Sequence, residues 1–243
     1  MLAMHWLLCD FTIEKTTAAG MPAGIPGYAV GRLGVLGDCP VDNVVGAALF
    51  WEPDYMRAQV NAGRAVMSPH EGAAIYAKVC QEWGDAVLGD FEDAPRLGEL
   101  AAEVVASASP IGAPTFAGWR DQALPEAPGG ARTFQLMQTM RELGFARHGA
   151  AVHASGMSPL MAIMSGPTGA WNARMFGWSE PYPDGEPMRE MRDEIEAMSN
   201  RLHSADFESL TDDEREEFVA LAKGARNHAM ANMTPEMQMT PPT

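Results

Sequence analysis

The sequence predicts an all-α fold, organised as a single-domain bundle of many helices. Helix signals recur along the 243 residues, whereas no stretch alternates apolar and polar residues for long, as a strand would. A hydrophobic share of 47% is enough to bury a substantial core. We expect one helical domain over residues 1–233. The tail, residues 234–243, has no periodicity and is predicted to be disordered.

Two capping boxes mark the clearest helix starts. Ser68 is followed by a proline and by Glu71, and an apolar periodic run continues to about Leu88. Thr211 and Glu214 repeat the pattern, with acidic residues at the positive end of the helix dipole. Both motifs indicate long amphipathic helices.

Further helices are predicted between connections rich in Pro and Gly. They cover about 96–106, 131–155, a short run opened by Ser158 and Pro159, and about 186–202. The glycines between Gly27 and Gly34 superficially resemble a phosphate loop, but the Gly-Lys-Ser/Thr ending is missing. A close crossing of two helices is the favoured interpretation of these glycines.

Charge and cysteine content narrow the function classes. The net charge of −15 repels phosphate backbones and anionic lipids, so neither nucleic acid nor a membrane is an expected partner. The three cysteines have no spacing suited to zinc and indicate reduced thiols. The apolar N-terminal run lacks a basic segment and is interrupted by Asp10, unlike a signal peptide. We therefore expect a cytoplasmic protein.

The helix over 131–155 carries polar groups on an apolar stripe. The residues at three- and four-residue steps are Phe134, Met137, Arg141, Phe145, His148 and Val152. A buried guanidinium requires an anion, which neighbouring Glu142 could supply. Two interpretations stay open: a structural Arg–Glu pair with a hydrogen-bonded histidine, or a functional site.

His5, Tyr28 and Arg32 are further candidates for an internal site. If His5 and His148 converged with Glu142, they would form a two-His-one-carboxylate set suited to iron, and either histidine could alternatively ligate haem. The candidate catalytic groups are His148, Glu142 and Arg141; the candidate cofactor-binding residues are His148, His5, Tyr28 and Arg32; the candidate metal ligands are His148, His5 and Glu142.

The order of several short motifs resembles an actinobacterial family of largely uncharacterised helical proteins, many of which carry a winged-helix-like segment. The matching residues are His5 and Phe11; Tyr28, Gly31, Arg32, Leu36 and Gly37; Phe50 and Pro53; Leu124 and Pro125; and Arg141, Glu142 and His148. The family's Arg and Asp between Glu142 and His148 are missing here, as is the winged-helix-like segment after Trp178. The resemblance implies a helical fold and agrees with the charge argument against DNA.

These observations lead to two hypotheses of different class. The first is a protein that binds a small molecule or cofactor, most concretely haem or a nonhaem metal, in an internal pocket, with oxidative or lyase-type chemistry. The alternative is a regulator-derived interaction protein, or an accessory subunit, without catalytic activity. A homodimer or a place in a larger complex is compatible with both.

Overall fold

The structure, a computed structural model, describes residues 5–239. In that range the regular structure consists of α-helices and short 3-10 turns without strands, which confirms the all-α prediction. Twelve α-helices lie within the described range: α1 Asp10–Ala18, α2 Ile25–Arg32, α3 Val41–Ala48, α4 Pro53–Arg64, α5 Pro69–Leu88, α6 Ala94–Ser107, α7 Pro114–Arg120, α8 Gly130–Ser155, α9 Pro159–Met164, α10 Gly169–Met175, α11 Arg189–Ser204 and α12 Asp212–Asn232.

Both predicted capping boxes are confirmed. The Ser68 hydroxyl accepts a hydrogen bond from the backbone N–H of Glu71 at 3.3 Å, and the Glu71 carboxylate accepts one from the N–H of Ser68. Thr211 and Glu214 make the same reciprocal pair at the start of α12. Each box satisfies two N–H groups that a helix start would otherwise leave without partners.

The long helix α8 lies at the centre of the bundle and packs against α5, α6, α7 and α11. The main core around it is rich in large aromatic side chains, including Trp6, Trp83, Trp119 and Phe134, none of which is more than 1% exposed. Burial of one such side chain contributes roughly 1.5–3 kcal/mol. This core therefore provides most of the hydrophobic stabilisation.

Gly31 of α2 and Gly34, two residues beyond its end, allow the predicted close crossing with α5. A Cβ at Gly31 would lie 2.6 Å from the Tyr76 ring, and one at Gly34 would lie 2.3 Å from the carbonyl oxygen of Pro69. Neither distance is tolerable for a side chain. The crossing interpretation is confirmed, and it places Arg32 at the inner end of α2, where its side chain is buried.

A second, smaller core lies beyond the C-terminal end of α8. Its buried members are Ala151, Val152, Met157, Ala162 and Ile195. They come from α8, α9 and α11 and from the segment between α8 and α9, and Met161, Met188 and Met198 pack around them. The short helix α9 is held on the bundle by this small cluster.

The C-terminal segment contains a short turn after α12. Pro235–Met237 form a 3-10 turn, and Met237 is buried. The predicted domain boundary at residue 234 stays a prediction, and residues 240–243 of the predicted tail lie outside the described residues. Within the described range, every helix is too short or too polar to cross a bilayer.

Candidate functional site

A buried ion cluster joins α2 to α8. Arg32 donates from Nε and Nη2 to the two carboxylate oxygens of Glu142, at 2.8 and 2.7 Å, and from Nη1 to the Tyr28 hydroxyl at 2.6 Å. Gln138 and Arg141 each donate to Glu142 Oε1, at 2.7 and 2.9 Å. The carboxylate is thus fully satisfied inside the bundle.

The cluster contains two guanidinium groups and one carboxylate. Burial alone would raise the pKa of Glu142, but Arg32 and Arg141 lower it, so this carboxylate stays ionised. Burial would lower the pKa of Arg32, and Glu142 more than reverses that effect. Burial does lower the pKa of Arg141, which shares Glu142 with Arg32. The predicted pair of Arg141 and Glu142 is confirmed, and Arg32 adds the bidentate contact.

A cavity of about 660 Å³ lies between α8, α11 and α12. Five residues of the predicted stripe line it: Phe134, Met137, Arg141, Phe145 and His148. The His148 Nδ1 lies 2.9 Å from the Ser199 hydroxyl on α11. Burial lowers the pKa of His148, against the opposing effect of the Glu196 carboxylate. His148 is therefore neutral near pH 7 and joins α8 to α11 through its hydrogen bond with Ser199.

The predicted metal ligands do not come together. Among residues 5–239, no group of three His, Cys, Asp or Glu side chains is placed to hold a metal ion. His148 lies in the large cavity, Glu142 is saturated by its arginine and glutamine partners, and His5 lines neither that cavity nor the smaller one beside Arg32. His5, His148 and Glu142 are therefore not brought together as a two-His-one-carboxylate set.

The short helices α9 and α10 form a compact helical hairpin. Ser158 caps α9, its hydroxyl accepting from the N–H of Met161 at 3.3 Å, and a proline occupies the first helical position. A turn of four residues, 165–168, contains Gly166 and leads into α10. A turn of three or four residues with a glycine is one feature of helix-turn-helix units.

The second helix of this hairpin presents a small and basic outer face. Ala173 points inward and is fully buried, whereas Thr168, Ala170 and Arg174 are exposed. Ala170 and Arg174 are four residues apart and share one side of the helix. Arg174 pairs with Glu180 at 3.1 Å, and both side chains are 63% exposed.

Negative charge is distributed unevenly around the hairpin. Residues 143–179 contain no Asp or Glu, and this is the longest stretch of the chain without one. The segment that follows, 180–217, is densely acidic. The hairpin itself therefore contains no acidic residue, in a protein whose net charge is −15, although Glu180 from the following segment contacts Arg174.

Main-chain contacts fix the far end of the hairpin to the bundle. Trp178, just beyond α10, donates from its indole N–H to the carbonyl oxygen of Phe50 at 2.8 Å. The N–H of Glu52 donates to the carbonyl oxygen of Phe176 at 2.9 Å. A Cβ at Gly177 would lie 2.4 Å from the Tyr55 ring, so only glycine allows this approach.

The four-residue turn between these two helices has the length found in helix-turn-helix units. The comparison with protein families agrees: the model described as "Helix-turn-helix family" matches residues 10–235. The chain belongs to this family. No curated protein and no solved structure matches it.

Family membership corrects several expectations from the sequence. The family indicates a regulator-like role rather than a haem or metal enzyme, so the predicted haem or iron cofactor and the oxidative or lyase-type reaction are wrong. The predicted small-molecule ligand has no support from it. The exclusion of nucleic acid is also wrong, because helix-turn-helix proteins characteristically bind it.

Sequence reasoning identified α9 but missed α10 and therefore the hairpin. A helix of seven residues is too short to show a period, and the Gly-Pro pair before it reads as a connection. One signal in the sequence could have indicated this region. Residues 143–179 contain no acidic residue, which the net charge of the whole chain does not show.

Proposed function

We propose that this protein is a transcription-regulator-like protein that contacts duplex DNA through the hairpin of α9 and α10, with α10 as the groove-facing helix. The observation that carries the proposal is the outer face of α10, where Ala170 and Arg174 are exposed and the helix itself contributes no acidic residue. Membership of a helix-turn-helix family supports it. An α-helix with its side chains is about 10–12 Å in diameter, which fits a major groove about 12 Å wide.

The charge of Arg174 is available to a phosphate or a base edge. Its ion pair with Glu180 is solvent-exposed, and such pairs contribute only about 0–1 kcal/mol. A DNA phosphate can therefore replace Glu180 at little cost. Thr168 and Ala170, the other exposed positions, are small enough to allow close approach of the helix to the groove.

The proposal is tested by selecting bound duplexes from a randomised 30-bp pool and then measuring affinity for an enriched sequence by fluorescence anisotropy. Arg174→Ala is expected to weaken binding about tenfold and to reduce the salt slope by about one. Arg189→Ala, which removes an exposed arginine outside the hairpin, is the matched control. Failure to enrich any sequence, or equal effects of the two variants, would contradict the proposal.

A second candidate function is a regulator-derived interaction protein that associates through helical faces. The specific observation in its favour is an apolar groove of about 330 Å³ between α11 and α12, next to which Val219 is 49% exposed. Under this candidate, Val219→Ser changes the sedimentation behaviour of the protein while DNA affinity is absent. Under the leading proposal, Val219→Ser leaves DNA affinity unchanged.

The buried site residues receive a supporting role in this proposal. Arg32, Tyr28, Arg141 and Glu142 fasten α2 to α8, and His148 fastens α8 to α11. They hold the platform on which the hairpin lies. A cytoplasmic location accompanies the proposed DNA contact, and an actinobacterial origin, implied by the resemblance, stays a prediction.

A further inference from the structure

Arg192 of α11 reaches beneath the hairpin. Its Nη1 donates to the carbonyl oxygen of Ala162 at 2.6 Å, and its Nε donates to the Glu196 carboxylate at 2.8 Å. Only 21% of the side chain is exposed. Glu196 lies one helical turn further along α11 and holds the guanidinium in this orientation.

The contact falls where α9 ends. Ala162 lies in the last turn of α9, where carbonyl groups lack partners within the helix and the helix dipole is negative. The N–H of Gly166 bonds to Ile163 instead, so the Ala162 oxygen is left to side-chain donors. A charged donor at this oxygen is among the stronger kinds of hydrogen bond.

The turn glycine is matched to this arginine. A Cβ at Gly166 would lie 3.2 Å from Arg192 Nη1 and 3.2 Å from the Ile163 carbonyl oxygen. Both contacts are tighter than a side chain normally makes. A side chain at position 166 would therefore require the guanidinium or the end of α9 to shift by a few tenths of an ångström.

We infer that Arg192 is a positioning residue that sets the angle of the helix-turn-helix hairpin by fixing the end of α9, and with it the start of the turn into α10. Arg192 does not itself reach the proposed DNA-facing side. Its effect on recognition is transmitted through Ala162 and the turn. The expected effect of Arg192 on DNA binding rests on the proposed function. Its expected effect on the hairpin does not.

The first test is amide hydrogen exchange on the full chain, with no DNA present. Arg192→Met, which keeps the length of the side chain but not its donors, is expected to accelerate exchange in residues 161–175 about tenfold, with little change in α5 or α6. Arg192→Lys, which retains one charged donor, is expected to restore part of the protection. The control is Arg189→Met on the same helix, where the side chain is 68% exposed and pairs with Glu186.

Equal exchange in Arg192→Met and Arg189→Met, or acceleration spread evenly over the bundle, would overturn the inference. The second test is affinity for the enriched duplex, which should fall about tenfold in Arg192→Met and recover in part in Arg192→Lys. If the unaltered protein selects no duplex, the proposed function fails while the exchange result still decides the role of Arg192. If the duplex binds and Arg192→Met retains full affinity, the positioning role fails alone.

Discussion

The main core and the small core hold their helices in different ways. The main core surrounds α8 with large aromatic side chains and contains the ion cluster of Arg32 and Glu142, which are 1% and 0% exposed. The small core has five buried residues, and the hairpin above it depends on a few polar anchors from Arg192 and Trp178. The bundle therefore supplies most of the stability, whereas the proposed recognition element lies where local opening is easiest.

Ion pairs follow the same division. The pair of Arg32 and Glu142 is completely enclosed, so loss of one partner leaves a buried charge uncompensated. The pair of Arg174 and Glu180 is open to solvent, and either partner can leave it at little cost. Enclosed charges fix the platform, and exposed charges remain free to meet a partner.

The largest effect is expected for Glu142→Gln in the main core. This change leaves two buried guanidinium groups without their carboxylate and should lower the free energy of unfolding by about 3–5 kcal/mol, measured by denaturant titration. Glu99→Gln, at an exposed ion pair, is the control and should change it by less than about 1 kcal/mol. A similar small loss of unfolding free energy in both variants would show that the ion cluster does not stabilise the fold in this way.

An intermediate and local effect is expected for Ile195→Ala in the small core. Ile195 is 1% exposed, and truncation of a buried isoleucine costs about 2–5 kcal/mol. Amide exchange should show the loss in α9, α10 and α11, with α5 and α6 nearly unchanged. Val219→Ala on the exposed side of α12 should leave all five helices unaffected. Uniform loss over the whole chain would show that the two cores do not differ in this way.

The smallest effect concerns pH. The pKa of His148 is lowered in the folded protein, chiefly by burial, so the unfolded chain binds more protons at this position. Its contribution to stability is therefore complete above the ordinary pKa of 6.5 and is lost as the pH falls below that value. His148→Asn should flatten this part of the stability profile, measured by thermal unfolding between pH 7.5 and 5.5. An unchanged slope in His148→Asn would contradict the assignment.

Local chemistry made much of the fold predictable. The capping boxes at Ser68 and Thr211 lie within four residues of sequence, and both helices begin where these motifs predict. The glycines of α2 predicted a helix crossing because close backbone approach needs them. The bidentate partner of Glu142 was harder to find, because Arg32 lies 110 positions away and only the folded chain brings them together.

The exclusion of nucleic acid was wrong because the net charge of the whole chain was taken to describe every part of its surface. A charge of −15 describes long-range repulsion but not the composition of a particular face. Residues 143–179 carry no acidic side chain, and the hairpin lies within them. The predicted stripe with Arg141 and His148 led to a hypothesis of an internal site. In the structure both residues are half-buried and are paired with Glu142 and Ser199.

Amide exchange on the full chain, with and without the enriched duplex, tests whether the hairpin contacts DNA through α10. If α10 faces the groove, DNA should slow exchange in the hairpin, residues 159–175, more than anywhere else in the chain. Protection confined to the groove between α11 and α12, or to the helices of the main core, would contradict the account.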